Sequence, residues 1–169
     1  MNWYTTTVDS PCGPLICVVD EDGAVVRIAF GHGRDAQKIA DMKTENDLIE
    51  DAGRTAEVRR QLEEYFAGRR EEFELTLAPR GTPFELAVWD ELRRIPFGQT
   101  RSYADVARAL GKPAATRAVG RANGANPIPI VVPCHRVIGS NGSLTGFGGG
   151  LEAKARLLEL EGRSLPFSG

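Results

Sequence analysis

Apolar and polar positions alternate along the first part of the chain in a way that is typical of short strands. Residues 2–8, 14–19 and 24–30 are rich in Val, Ile, Thr and aromatic side chains, and Glu21-Asp22-Gly23 is a hairpin turn signal. The acidic stretch 35–51 has weak periodicity, which indicates a loop or an irregular helix.

A helical period follows, and Gly68 is placed to end it. Its apolar members are Val58, Leu62, Tyr65 and Phe66. Alternation at Phe73, Leu75 and Leu77 then predicts one more strand. We therefore expect residues 1–78 to form a small antiparallel sheet domain with a helix.

The charge sign and the hydrophobic period both change at Pro79-Arg80-Gly81, which we take as the domain boundary. A strong helix start comes next, because Thr82 can cap, Pro83 fits the first helical position and Glu85 completes a capping box. Pro96-Phe97-Gly98 stops this helix. Its predicted buried face contains Val88, Trp89, Leu92 and Ile95.

Two further helices, residues 102–110 and 114–123, are joined by Gly111-Lys112-Pro113. This spacing matches a helix-turn-helix, and Arg117 and Arg121 lie four apart on one face of its second helix. A plain helical hairpin is the alternative. The fold class predicted is α+β (mixed α/β), with residues 79–169 as a mainly helical, winged-helix-like domain.

Charge is divided between the two parts. Residues 1–78 carry 9 basic and 16 acidic side chains, net −7, whereas residues 79–169 carry 12 and 7, net +5. The stretch from Arg93 to Arg136 contains eight basic residues and a single acid, Asp105. Such a stretch can follow a phosphate backbone, or it can be an ordinary solvated surface.

The composition, 41% hydrophobic and 26% charged, is that of a globular protein. No apolar run reaches the length of a membrane span, and the N-terminus does not resemble a secretory signal. Cys12, Cys17 and Cys134 form no C-x-x-C pair, so we expect reduced thiols and a cytoplasmic protein. Cys12 and Cys17 with His32 are a poor match to zinc-ligand spacing, and neither a metal nor another cofactor is expected.

The segment 128–139 brings a Cys and one of two histidines to the end of a stiff, apolar, Pro-rich run. His135 can accept the thiol proton of Cys134, and Arg136 adds positive potential. Adjacent side chains on a strand point to opposite faces, so the pair can cooperate only through a sharp turn, such as a helical one, or a linking water. A buried structural Cys beside an incidental His is the alternative.

The motif Pro133-Cys134-His135-Arg136-Val137 resembles the active-site signature of the O6-alkylguanine-DNA alkyltransferases (methylated-DNA–protein-cysteine methyltransferases). Asn126-Pro127-Ile128-Pro129 precedes it and Gly146-Phe147-Gly148-Gly149-Gly150 follows it. Further similarity lies at 95–98, 102–103, 117–120 and 157–162, so nearly all of residues 82–162 is covered.

The resemblance implies single-turnover, direct-reversal DNA repair. Cys134 would accept the alkyl group from O6 of guanine, with O4 of thymine left open as a second source. His135 would activate Cys134 through a water, Glu161 would orient His135, and Asn126 would brace the turn around the Cys. The thioether product resists hydrolysis, so each molecule would act once.

The resemblance also implies minor-groove binding to double-stranded DNA and flipping of the damaged base. Arg117 would enter the base stack beside Ala118 and Gly120, and Tyr103 would help drive the nucleotide outward. The base pocket would be lined by Pro129, Val137, Phe147 and Gly148. A monomer is expected, with cooperative assembly on DNA left open.

Three positions depart from common versions of the family pattern. Phe147 replaces a frequent Tyr, Gly148 an occasional Ser, and Asn123 an occasional apolar residue. They leave the reaction type intact and bear on the range of O6 adducts accepted. The alternatives are a non-enzymatic alkyltransferase-like protein, against which Cys134 argues, a helix-turn-helix regulator and a thiol hydrolase.

Overall fold

The computed structural model describes residues 2–147 and 149–162. The chain divides into two compact units, residues 1–79 and 80–169. No helix in the described ranges is both long enough and apolar enough to cross a membrane.

The first unit is a four-stranded sheet in the order β3-β2-β1-β4, with two helices. Its elements are β1 (Asn2–Val8), β2 (Leu15–Val19), β3 (Val25–Phe30), α1 (Gly33–Glu45), β4 (Asp47–Glu50) and α2 (Ala56–Phe66). The three predicted strands and the helix before Gly68 are confirmed. A core cluster under the sheet contains Trp3, Val18, Val26, Ala29 and Ile39.

The acidic stretch 35–51 is more regular than predicted. Most of it forms α1, and its end forms β4, which pairs parallel to β1 with Leu48 opposite Trp3. The three predicted strands pair antiparallel, as expected, and the additional strand β4 makes the sheet mixed. Ile39 and Leu48 supply the missing signal, because both pack against the core while most of their neighbours are exposed.

The strand predicted at Phe73, Leu75 and Leu77 is reduced to one bridge between Leu77 and Val25. The Gln61 side chain forms hydrogen bonds with the backbone of this segment. It accepts from the Glu74 N–H at 2.8 Å and donates to the Glu74 carbonyl at 3.1 Å. A side-chain amide thus replaces a neighbouring strand for this segment.

The second unit is mainly helical. Its elements are α3 (Pro83–Leu92), β5 (Arg101–Ser102), α4 (Tyr103–Ala109), α5 (Thr116–Gly124), β6 (Val137–Ile138) and α6 (Leu151–Leu160). Strands β5 and β6 pair parallel. The capping box of Thr82 and Glu85 is present, and Ser102 forms a second one with Asp105. Helix α3 ends at Leu92, earlier than predicted, although Ile95 is still buried.

Helices α4 and α5 form the predicted helix-turn-helix. Gly111 has φ of +71°, a left-handed conformation that favours glycine, and a 3-10 turn at Pro113–Ala115 leads into α5. Trp89 of α3 donates from Nε1 to the Ala122 carbonyl at 2.8 Å and so anchors α5. The second helix of the motif therefore has a fixed position beside α3.

Candidate active site

Cys134 lies on a single 3-10 helical turn, Cys134–Arg136, that leads directly into β6. Such a turn separates successive side chains by about 120°, so Cys134 and His135 are not forced to opposite faces. The geometric condition for their cooperation is met. Cys134 is 5% exposed and His135 is completely buried.

Glu161, which caps the C-terminus of α6, binds both residues that follow the cysteine. Its Oε2 lies 2.8 Å from His135 Nε2, and Arg136 donates to Oε1 at 2.8 Å and to Oε2 at 2.9 Å. Arg136 also donates to the Ile95 carbonyl at 2.6 Å. The charge of Arg136, expected to act on the thiol, is paired instead with the carboxylate of Glu161.

The surroundings set the protonation states of this pair. Burial lowers the pKa of His135, and the hydrogen bond and charge of Glu161 offset only part of that effect. Burial acts to raise the pKa of Glu161, but hydrogen bonds from His135 and Arg136 outweigh it and hold the pKa well below its usual value. A neutral imidazole that donates from Nε2 to a carboxylate presents Nδ1 as a proton acceptor. His135 is thus prepared to act as a base.

Asn126 braces the segment that leads to the cysteine. Its Nδ2 donates to the Val132 carbonyl at 2.9 Å, and its Oδ1 accepts from the Ile128 N–H at 3.0 Å. Within this loop Ile130 has φ of +75°, which a β-branched side chain rarely adopts and which costs about 1–3 kcal/mol. The side-chain amide of Asn126 therefore holds a strained loop closed two residues before Cys134.

A second hydrogen-bonded chain links α4 to the strand after the cysteine. Lys154 of α6 is completely buried and donates from Nζ to the carbonyls of Val137 and Thr145, both at 2.7 Å. Thr145 donates from Oγ1 to the Tyr103 hydroxyl at 2.8 Å. Burial lowers the pKa of Lys154 to about 8, and the charge of Cys134 opposes that change. Burial also raises the pKa of Tyr103, against the effect of Thr145.

The exposed face of α5 carries the predicted DNA contacts. Arg117 and Arg121 are both exposed, and neither forms an ion pair within the described part of the chain. Ala118 and Gly120 are half-buried. A Cβ added at Gly120 would lie 3.9 Å from the Tyr103 ring, so α5 passes close to that tyrosine.

The predicted pocket residues Pro129, Val137 and Phe147 differ in burial. Pro129 and Val137 are buried and Phe147 is half-buried, whereas Gly148 lies outside the described residues. No group of three or more His, Cys, Asp and Glu side chains in residues 2–147 and 149–162 could hold a metal ion.

The hydrogen bonds of Lys154 and Thr145 and the contact of Asn123 with the Cys134 carbonyl were not predicted from the sequence. Lys154 had a detectable signal, because it lies three and four residues before the buried Leu157 and Leu158, on the same face of α6. A lysine on an apolar helix face needs buried acceptors. Thr145, in an irregular loop, carried no such periodic signal.

Two family models match the chain. Residues 3–79 match the ribonuclease-like domain of 6-O-methylguanine DNA methyltransferase, and residues 83–163 match its DNA binding domain.

Relatives match along nearly the whole chain. A methylated-DNA–protein-cysteine methyltransferase of Methanosarcina acetivorans is 47% identical over 159 residues, covering 94% of this chain and 98% of the relative. The constitutive enzyme of that name from Bacillus subtilis is 46% identical over 164 residues, covering 95% and 96%. The crystal structure of Mycobacterium tuberculosis OGT in complex with DNA is similar with a TM-score of 0.82 and 42% identity, covering 95% and 92%. The chain therefore belongs to the methylated-DNA–protein-cysteine methyltransferase family.

Proposed function

We propose that this protein repairs DNA by transferring the alkyl group from O6 of guanine to Cys134. The observation that carries the proposal is the buried arrangement of Cys134, His135 and Glu161 in a chain of this family. A bond forms between Sγ and the alkyl carbon, and the bond between that carbon and O6 breaks. The electron pair stays on guanine, which takes up the proton that the thiol lost.

His135 and Glu161 activate the thiol. The proton leaves Sγ through a water and reaches His135 Nδ1, while Nε2 remains bonded to Glu161. The carboxylate stabilises the imidazolium that forms, and Asn126 keeps the turn in place. A thioether offers water no good leaving group, so the product is stable and each molecule reacts once.

The DNA duplex is bound from its minor groove by α5. Ala118 and Gly120 are small enough for close approach, and the exposed Arg117 fills the stack when the damaged base leaves it. A thiol cannot reach O6 inside the duplex, so the nucleotide is flipped outward past Tyr103. Because alkylated guanines occur in any sequence, binding depends on the backbone and on DNA shape.

The flipped base lies against Pro129, Val137 and Phe147. Phe147 offers the base no hydroxyl, and the range of O6 adducts accepted and the reaction of O4-methylthymine are to be tested. The protein acts as a monomer in the cytoplasm, where thiols stay reduced.

Intact mass measurement and peptide mapping test this function directly. The protein is mixed with a duplex that contains one O6-methylguanine, and Cys134→Ser is the control. We expect one methyl group on Cys134 per lesion lost. Cys17 serves as an internal control, because burial raises the pKa of its thiol to about 12. Preferential binding to the lesion without modification would contradict the transfer and favour a recognition protein.

A further inference from the structure

Asn123 is a buried polar residue on the inner side of α5. It is 3% exposed and lies among the buried residues Val119 and Ala122 of the same helix. Its Nδ2 is 3.5 Å from the Cys134 carbonyl, a long hydrogen bond to the reactive turn. The helix that carries Arg117 on its outer face therefore touches the backbone of the cysteine from its inner face.

Two buried polar atoms at this place have no hydrogen-bond partner among the described residues. They are Asn123 Oδ1 and His135 Nδ1. Asn123 contacts the carbonyl of the residue directly before His135, so both side chains adjoin the Cys134–His135 peptide unit, one by contact and the other by covalent attachment. A buried acceptor without a donor is destabilising, and such groups in native proteins are usually satisfied by ordered water.

The Cys134 carbonyl favours one orientation of the Asn123 amide. A carbonyl oxygen accepts and does not donate, so the contact at 3.5 Å is a hydrogen bond only when the amide nitrogen faces it. Oδ1 is then the atom left over. His135 Nδ1 is likewise an acceptor, because Nε2 donates to Glu161. Both unsatisfied atoms thus require a donor, and one water molecule has two O–H groups to offer.

We propose that Asn123 is a positioning residue that, together with His135 Nδ1, holds the water that takes up the thiol proton of Cys134. This inference rests on the proposed function and adds a residue to it. With both O–H groups donated to Oδ1 and Nδ1, the water presents a lone pair to the thiol. Its two donated hydrogen bonds also make its oxygen a better proton acceptor.

The proton count balances without further groups. The S–H bond breaks and its proton joins the water, which passes one proton to His135 Nδ1. The water is regenerated and still donates to Asn123 Oδ1. The other ionisable groups that act on Cys134 or on this base are Arg136 and Glu161, Lys154 of α6 and Tyr103 of α4. None of them changes in the test below.

The test measures the pH dependence of the Cys134 thiol with and without the amide. Asn123→Leu has similar size and no polar atoms. The rate of iodoacetamide labelling of Cys134 is followed by peptide mapping from pH 5 to 10, which separates it from Cys12 and Cys17. In Asn123→Leu we expect the midpoint of the curve of labelling rate against pH to rise by about one pH unit. Methyl transfer from O6-methylguanine DNA at pH 7 falls about tenfold, the loss of roughly one hydrogen bond to an ionising group, and recovers at high pH.

Val119→Ala is the matched control. It removes buried atoms from the same helix, so it lowers the melting temperature and leaves the labelling midpoint unchanged. An Asn123→Leu protein with the wild-type midpoint and only a lower melting temperature would overturn the proposal, since the amide would then be structural.

Asn123→Ser serves if the leucine variant does not fold. Its hydroxyl is too short to occupy both amide positions, so a raised midpoint is again expected, and an unchanged one again overturns the proposal. Iodoacetamide labelling needs no DNA. A shifted midpoint without methyl transfer in the wild type would therefore contradict the proposed function alone.

Discussion

His135 Nε2 and Glu161 Oε2 lie 2.8 Å apart, and both side chains are shielded from solvent. The same carboxylate also binds Arg136 through two nitrogens. One residue at the end of α6 therefore holds the imidazole that we propose as the base and neutralises the guanidinium beside it. Catalysis and stability should consequently depend on the same side chain.

We expect Glu161→Gln to lower both the rate of methyl transfer and the stability of the fold. A neutral amide leaves the buried guanidinium of Arg136 without a counter-charge, which destabilises a protein by about 3–5 kcal/mol. It also stabilises the imidazolium poorly, so the rate of methyl transfer falls about 100-fold. Thermal unfolding and single-turnover transfer measure the two effects. Glu159→Gln, an exposed change two residues away, is the control. A folded Glu161→Gln protein with the wild-type rate would show that this carboxylate has no part in the transfer.

The stability of the protein should fall as the pH is lowered, in two stages. The pKa of His135 is below its ordinary value in the folded state. As the pH falls, the unfolded chain therefore binds a proton at His135 before the folded chain does. Stability is then lost as the pH falls below the ordinary histidine pKa of about 6.5. The pKa of Glu161 is also lowered, so its contribution is complete above the ordinary glutamate pKa and is lost below it.

Urea unfolding between pH 4 and 8 measures this dependence. His135→Gln should flatten the curve between pH 5 and 7, whereas His32→Gln changes an exposed histidine and should leave the slope as it is. Equal slopes in the wild type and in His135→Gln would mean that other groups cause the loss.

Local signals in the sequence predict much of this structure. Thr82 and Ser102 begin helices because each is followed three residues later by an acid that completes a capping box. Gly111 ends α4 because it can adopt a positive φ. Such features depend on neighbours within one turn, so the helix-turn-helix could be predicted without tertiary information.

Features that depend on distant partners could not be predicted. Strand β4 exists because β1 offers it an edge, and the strand expected around Leu75 is absent because Gln61 binds that backbone. Ile130 adopts a positive φ against its own preference, since Asn126 and Val132 close the loop around it. In the candidate site, the ion pair of Arg136 could not be predicted either, because its partner Glu161 is 25 residues away in the sequence.

Thr145 should control the position of Tyr103. Thr145→Val keeps the branched shape but removes the hydroxyl that donates to Tyr103, so the tyrosine ring gains freedom beside the proposed base pocket. Both groups reach solvent, so we expect stability to change by less than about 0.5 kcal/mol. The ratio of transfer rates from O6-benzylguanine and O6-methylguanine DNA should rise. Thr145→Ser retains the hydroxyl and should keep the wild-type ratio, and an equal rise in both variants would exclude the hydrogen bond as the cause.

Arg117 and Arg121 should affect DNA repair differently, although they share one face of α5. Both are exposed, so Arg117→Ala and Arg121→Ala should leave the melting temperature and the reaction of Cys134 with free O6-benzylguanine unchanged. If Arg121 contacts only phosphate, its loss lowers the slope of log affinity against log salt by about one. It also lowers the affinity for damaged and undamaged duplexes alike. If Arg117 fills the stack behind the flipped base, as we propose, its loss should slow transfer from duplex lesions about 10- to 100-fold at saturating DNA, where weaker binding no longer matters. Quenched-flow transfer at saturating duplex separates the two effects. Equal transfer rates in both variants under these conditions would reduce Arg117 to a phosphate contact.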